Sequence, residues 1–218
     1  MSKKKRKNNN YKNSPSATKQ SNTKSSDGKR TAIIASVIAL VAIIISAVVA
    51  LNSCTRDYTI EISVRNYGKI TLELDGDAAP KTVKNFVSLV NDGFYDGLTF
   101  HRIMPNFMIQ GGDPQANGYG GSSKKIYGEF ASNGYDNPIS HVRGVISMAR
   151  GNEPDSASSQ FFICNADSTF LDGDYAAFGR VVSGMEVVDA ITEDYAIFNG
   201  VINDKSIQPV IEYIKVID

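Results

Sequence analysis

Residues 100–113 read FHRIMPNFMIQGGD, and the fold turns on this stretch. Two short strand-like runs, 99–104 and 107–110, flank Pro105-Asn106, a turn pair, so the segment is a tight hairpin. Period-2 alternation places Phe100, Arg102 and Met104 on one face and His101 and Ile103 on the other. Across the turn Met108 and Gln110 share a face, with Phe107 beside the turn. One guanidinium and one amide thus sit among aromatic and thioether side chains. On these residues alone the plain reading is a barrel strand with Arg102 in a surface ion pair, because aromatic runs of this kind usually pack in cores.

Working outward, residues 59–64 (TIEISV) and 69–74 (KITLEL) alternate with period 2 around the turn Asn66-Tyr67-Gly68, giving a second hairpin. Pro80 opens a helix whose apolar stripe is Val83, Phe86, Val87 and Val90, stopped by Gly93. Further strand-like runs occupy 145–149, 160–164, 176–182 and 211–217. A second helix is expected from Met185 to about Thr192, capped by Ser183 or Gly184. About eight strands with only two helices predict a mainly β fold: a closed eight-stranded antiparallel β-barrel capped by two α-helices.

The whole chain has 218 residues and equal numbers of basic and acidic side chains, 23 each. That balance hides an asymmetry, because residues 1–30 carry ten basic residues and one acidic one. The remainder is therefore acidic by nine charges, which argues against a uniformly basic nucleic-acid binder. Residues 1–30 are too poor in apolar side chains to offset ordering entropy, so they read as a disordered basic tail. Residues 32–51 (AIIASVIALVAIIISAVVAL) hold no charge and no polar stripe. Twenty residues at 1.5 Å each reach about 30 Å, the thickness of a bilayer core, so 31–51 reads as a single transmembrane helix. The basic excess on its N-terminal side places that side in the cytoplasm and the rest outside. Residues 52–57 are then a short tether and 58–218 the functional domain. Two processing alternatives, a cleaved secretory signal and a lipoprotein anchored through Cys54, put that domain on the same side.

Several chemistries fail on the residues. Two cysteines, Cys54 and Cys164, exclude a disulfide framework or a Cys-rich zinc site, and two histidines make a multi-His metal centre improbable. Ser147 lacks the following glycine of a nucleophile elbow, and Ser158 and Ser159 lie beside no histidine in sequence. Cys164, in an apolar strand, reads as an inert buried thiol. Residues 117–121 (NGYGG) lack the Gly-Lys-Ser/Thr of a phosphate cradle and read as a turn. His101 reads as a packed histidine with one backbone hydrogen bond.

The hairpin FHRIMPNFMIQGGD, followed in order by GVISMAR, SSQFFI and FLDGDYAAFGRV, resembles the consecutive motifs of cyclophilin-type peptidyl-prolyl cis–trans isomerases. The resemblance covers essentially all of 58–218. It implies an eight-stranded barrel with two helices, no cofactor and no metal, and proline-containing polypeptides as substrates. By resemblance Arg102 is the catalytic arginine, with Gln110 holding the guanidinium and binding substrate backbone. Phe107, Met108, Ala149, Arg150, Gln160, Phe162, Phe170, Leu171 and Tyr175 fall on the family's substrate-contacting positions. Three of them depart from the familiar eukaryotic pattern: Phe170 replaces a common tryptophan, Tyr175 a histidine and Arg150 an asparagine. The first two are like bacterial members. The expected function is isomerisation of X–Pro bonds in unfolded or exported chains at the outer membrane face. The alternative is a non-catalytic module that holds Pro-containing segments in the same groove.

Overall fold

The computed structural model describes residues 34, 37–41 and 57–218. The expected basic tail 1–30, transmembrane helix 31–51 and tether 52–57 with Cys54 therefore lie outside the described residues, apart from the helical residues 34 and 37–41 and the non-helical Asp57. Among the described residues no helix is long and apolar enough to cross a membrane.

Nine strands and two α-helices follow in the order β1 (Tyr58–Val64), β2 (Gly68–Leu74), α1 (Pro80–Asn91), β3 (Phe100–Met104), β4 (Met108–Gly111), β5 (Val145–Met148), β6 (Phe161–Cys164), β7 (Ala177–Ser183), α2 (Met185–Asp194), β8 (Gly200–Val201) and β9 (Ile211–Val216). The spatial order is β8-β3-β4-β6-β5-β7-β2-β1-β9, with antiparallel pairing throughout. The expected closed eight-stranded barrel is corrected to an open, curled nine-stranded sheet. The extra strand, β8, occupies the edge of β3 that β9 would need for closure. Pro209, which has no N–H to donate, stands just before β9. Only an isolated bridge between Thr99 and Val210 and a few flanking backbone bonds, such as Ile211 N–H to Leu98 C=O at 2.8 Å, join the two approaches.

The alternation read from β1 and β2 holds: Ile60, Ile62, Ile70 and Leu72 are fully buried inside the curl. Phe86 of α1 fills its middle, ringed by Tyr95, Phe161 and Phe178 with centroids 5.1–5.5 Å away. These aromatic contacts contribute beyond area burial, about 0.5–1.5 kcal/mol per pair. A second, smaller cluster of Met108, Phe162, Cys164 and Leu171 packs outside the curl. It exists because β4 and β6 alternate: Ile109 and Ile163 point inward while Met108 and Phe162 point outward.

Helix α1 starts at Pro80, as read, but its N-cap Ala79 supplies no side-chain acceptor. The buried Glu129 does so instead, 47 residues away. Its carboxylate accepts from Lys81 N–H (3.0 Å), Thr82 N–H (2.8 Å) and the Thr82 hydroxyl (2.8 Å). This satisfies orphan donors of the first turn with a charge of favourable sign. Helix α2 is capped by Gly184 at φ 91°, two residues longer than expected.

Candidate active site

The site is built on the outer face of β3, β4 and β6. The alternation expected in β3 is broken. Phe100 pairs with Gly111 and Arg102 with Gln110, so His101 is an extra residue in a β-bulge. Phe100 and Ile103 therefore both enter the core, while Arg102 turns outward beside Met104. The surface ion pair considered for Arg102 does not form; the guanidinium is half-buried, and Nη1 donates to Gln110 Oε1 at 3.1 Å. Burial pulls its pKa below the ordinary value, and arginine stays charged across the accessible pH range.

A hydrogen-bond chain fixes that guanidinium. Gln110 Nε2 donates to Gln160 Oε1 at 2.8 Å, and Gln160 Nε2 donates to the carbonyls of Gly118 (3.0 Å) and Gly120 (2.7 Å). Those carbonyls are held by Asp113, which is fully buried and accepts from the N–H groups of Gln115 (2.8 Å), Asn117 (3.0 Å) and Gly118 (2.6 Å). Burial pushes the Asp113 pKa up, but its backbone donors outweigh that and hold it below the usual carboxylate range. Gly120 must be glycine, since a Cβ there would run into the Asp113 carboxylate and Gln115. The turn at 117–121 is thus a clamp on Gln160.

Arg102, Phe107, Met108, Gln110, Ala149, Arg150, Phe162, Leu171 and Tyr175 line one cavity of about 320 Å³, as the sequence had grouped them. The other two expected residues lie off its lining. Gln160 stands behind Gln110, and Phe170 sits at the rim, 72% exposed, tilted against Phe107 with centroids 5.4 Å apart. Arg150 turns its side chain away, donating to Asp174 C=O at 2.8 Å between the rings of Phe130 and Tyr175. Tyr175 meets Phe162 edge-on at 5.9 Å. His101, Asn117, Gly118, Tyr119 and Val201 also line the cavity and were not assigned from sequence. The bulge brings His101 there, the pairing of β8 brings Val201, and the Asp113-held turn brings Asn117, Gly118 and Tyr119. His101 is packed, as expected; among the described residues neither ring nitrogen makes a well-formed hydrogen bond, and the Thr99 backbone lies within reach of the imidazole. A larger cavity, about 720 Å³, opens beside Asp57, Glu73, Arg180 and Asp218 and holds none of these residues.

One constellation the sequence concealed lies under the groove. His141 Nδ1 meets Asp172 Oδ1 at 2.8 Å, and its Nε2 meets Ser147 Oγ at 3.0 Å. Ser147, set aside for want of a following glycine, thus has a histidine partner. Yet Ser147 and His141 are buried, and the imidazole stacks against the back of Phe162 at 6.0 Å, so no substrate carbonyl reaches the serine. The set braces Phe162 and, through Asp172, the neighbouring Leu171. Cys164 is buried and free, its thiol pushed up to about 12 by burial, an inert thiol as expected. Among the described residues no three His, Cys, Asp or Glu side chains converge as a metal site.

A fixed cation beside an apolar cup, with the Ser147–His141–Asp172 set sealed underneath, defines a groove that holds and turns a peptide rather than cleaving it. Known proteins agree. Residues 59–215 match the family model for cyclophilin type peptidyl-prolyl cis-trans isomerase/CLD, so the chain belongs to the cyclophilin family and is a peptidyl-prolyl cis–trans isomerase. It is 50% identical over 132 residues to peptidyl-prolyl cis-trans isomerase A of Dickeya dadantii, covering 58% of this chain and 67% of that protein. It is 40% identical over 182 residues to a probable peptidyl-prolyl cis-trans isomerase of Brucella suis, covering 80% and 92%. A cyclophilin type isomerase of Cryptosporidium parvum, crystallised in the presence of the dipeptide Ala-Pro, superposes with TM-score 0.63 at 30% identity, over 73% of this chain and 99% of that one.

Proposed function

We propose that Arg102 is the catalytic residue and that the cup of Phe107, Met108, Phe162 and Leu171 seats the proline ring. The observation that carries this is the chain Arg102–Gln110–Gln160, which fixes a guanidinium at the edge of the only apolar cluster outside the core among the described residues. The Ala-Pro dipeptide used with the Cryptosporidium parvum relative is consistent with such a ligand. An X–Pro bond turns slowly because rotation breaks amide resonance, a barrier of about 18–20 kcal/mol. Accelerating it about 10⁵-fold requires about 7 kcal/mol of preference for the twisted state. In that state the prolyl nitrogen becomes pyramidal and its lone pair is freed. A charged donor aimed at the nitrogen binds it better than either planar isomer. Gln110 and Gln160 hold the donor and bind substrate backbone, Ala149 and Arg150 offer backbone, and Phe170 and Tyr175 form the rim. No nucleophile or proton transfer is needed. The test is a proline-isomerisation assay on the full chain with an X–Pro tetrapeptide. Arg102→Ala is expected to lower kcat/KM at least about 100-fold with peptide binding largely kept; near wild-type turnover would remove Arg102 from the mechanism.

The clients on this reading are unfolded or newly exported chains. The enzyme is held by residues 31–51 at the outer face of a membrane, within about 20 Å of it given the six-residue tether. The uncharged run 32–51 and the basic excess before it support this topology. Protease added to intact cells is expected to remove 58–218 and spare the basic tail. A protected domain with a digested tail would reverse the orientation.

A further inference from the structure

We propose that the free edge of β8, with the apolar turn before it, is a second docking surface for the client polypeptide, continuous with the isomerisation groove. The proposal rests on the isomerase reading above and adds which clients are preferred. Strand β8 ends the sheet, and its Val201 stands directly opposite Arg102 in β3. Ile202 N–H donates to His101 C=O at 2.8 Å, which makes His101–Ile202 a hydrogen-bonded pair. By the alternation of antiparallel ladders, the N–H and C=O of the next residue, Val201, point to the open edge. That edge is a template for an added strand.

The turn leading into it is unlike an ordinary loop. Residues 195–202 (YAIFNGVI) carry no charge in a domain rich in acids. Ile197 is 87% exposed, and Phe198 and Val201 are each 41% exposed. Connecting loops are normally polar, and adjacent exposed apolar side chains mark interaction sites. The turn is also held in place: Phe198 N–H donates to Tyr195 C=O at 3.0 Å, their rings meet at a tilt with centroids 5.9 Å apart, and the Tyr195 hydroxyl donates to Ile207 C=O.

Continuity with the groove names the occupant. Val201 lines the same cavity as Arg102. A chain with proline in the cup must leave past one side of Arg102. Neighbouring strands lie about 4.8 Å apart, so a strand added to β8 runs about 10 Å from β3, a span of about three residues. The fitting partner is an extended client segment bearing β-branched or aromatic side chains three to six residues from its proline.

The test uses the full chain and three peptides sharing one X–Pro core: a bare tetrapeptide, and extended forms whose outer residues are Val-Ile-Phe or Ser-Asn-Ser. The apolar form is expected to have about 5- to 10-fold higher kcat/KM than the polar form, the scale of burying about half of one large apolar side chain. Ile197→Ser, at a largely exposed position outside the cavity, is expected to bring that ratio within about 2-fold and leave the tetrapeptide rate unchanged. Ile197→Trp is expected to restore or increase it. Equal rates for the two extended peptides with the unaltered protein would overturn the proposal while the isomerase reading stood. If no peptide were isomerised, the isomerase reading would fail, and fluorescence anisotropy of the extended peptides would still decide whether the edge prefers the apolar one. Loss of self-association, or of binding to phosphatidylcholine vesicles, in Ile197→Ser with no change in the peptide ratio would assign the surface to a second copy or to lipid and overturn the proposal.

Discussion

Arg102 shows how much depends on a single extra residue. Without the bulge at His101, strict alternation would place Arg102 on the same face as Phe100, inside the curl. There an unpaired guanidinium would be prohibitively desolvated. Once turned out, its aim depends on amides that do not touch the core. Gln160→Leu removes the acceptor for Gln110 Nε2 and the donor to the Gly118 and Gly120 carbonyls. It is expected to lower kcat/KM about 10-fold without unfolding the domain, because a loosely aimed donor loses transition-state orientation. Steady-state kinetics check this, and an unchanged kcat/KM would show that Arg102 is positioned without the relay. Arg102→Lys is expected to resemble Arg102→Ala, since an ammonium lacks the planar fork that reaches Gln110 and the substrate together.

Among the elements, α1 carries the clearest debt to residues outside itself. Its stripe of Val83, Phe86, Val87 and Val90 is buried as its spacing predicts, but its cap is the buried Glu129. Glu129→Gln keeps the shape and replaces one acceptor oxygen with an NH2 group facing a backbone donor. The expected cost is about 1–3 kcal/mol. Urea denaturation measures it, with isomerase activity at 25 °C retained because no groove residue is moved. A variant as stable as the parent would mean that water caps the helix equally well.

For the molecule as a whole, the two buried histidines set the response to acid. Burial holds the His101 and His141 imidazoles below their ordinary value near 6.5; Asp113 opposes this at His101 while Arg102 adds to it, and Asp172 opposes it at His141. The unfolded chain takes up protons that the folded one refuses. The stability that follows is intact above about pH 6.5 and is lost as pH falls from there through the folded values, at up to about 1.4 kcal/mol per pH unit per histidine. The urea midpoint is expected to be clearly lower at pH 5.5 than at pH 7.5, while turnover stays flat from pH 7 to 9. An equal midpoint at both pH values would show that the folded protein accommodates both imidazolium ions.

What the sequence determined by itself is what repeats locally. Period-2 alternation and short apolar runs between turns marked eight strands, the i, i+3, i+4 stripe and Pro80 marked α1, and four motifs in order marked the family and most of the groove. The tertiary structure alone decided the rest. A two-residue strand such as β8 has too few residues to show alternation, so both the ninth strand and the open edge stayed hidden. The bulge at His101 reverses a face with no change of residue type. Ser147, His141 and Asp172 meet because the 141 and 172 loops converge 31 residues apart, and Glu129 reaches α1 across 47. Hydrogen bonds that join distant segments leave no periodic trace in either one, because each partner is chosen by where folding brings the backbone and not by its neighbours in the chain.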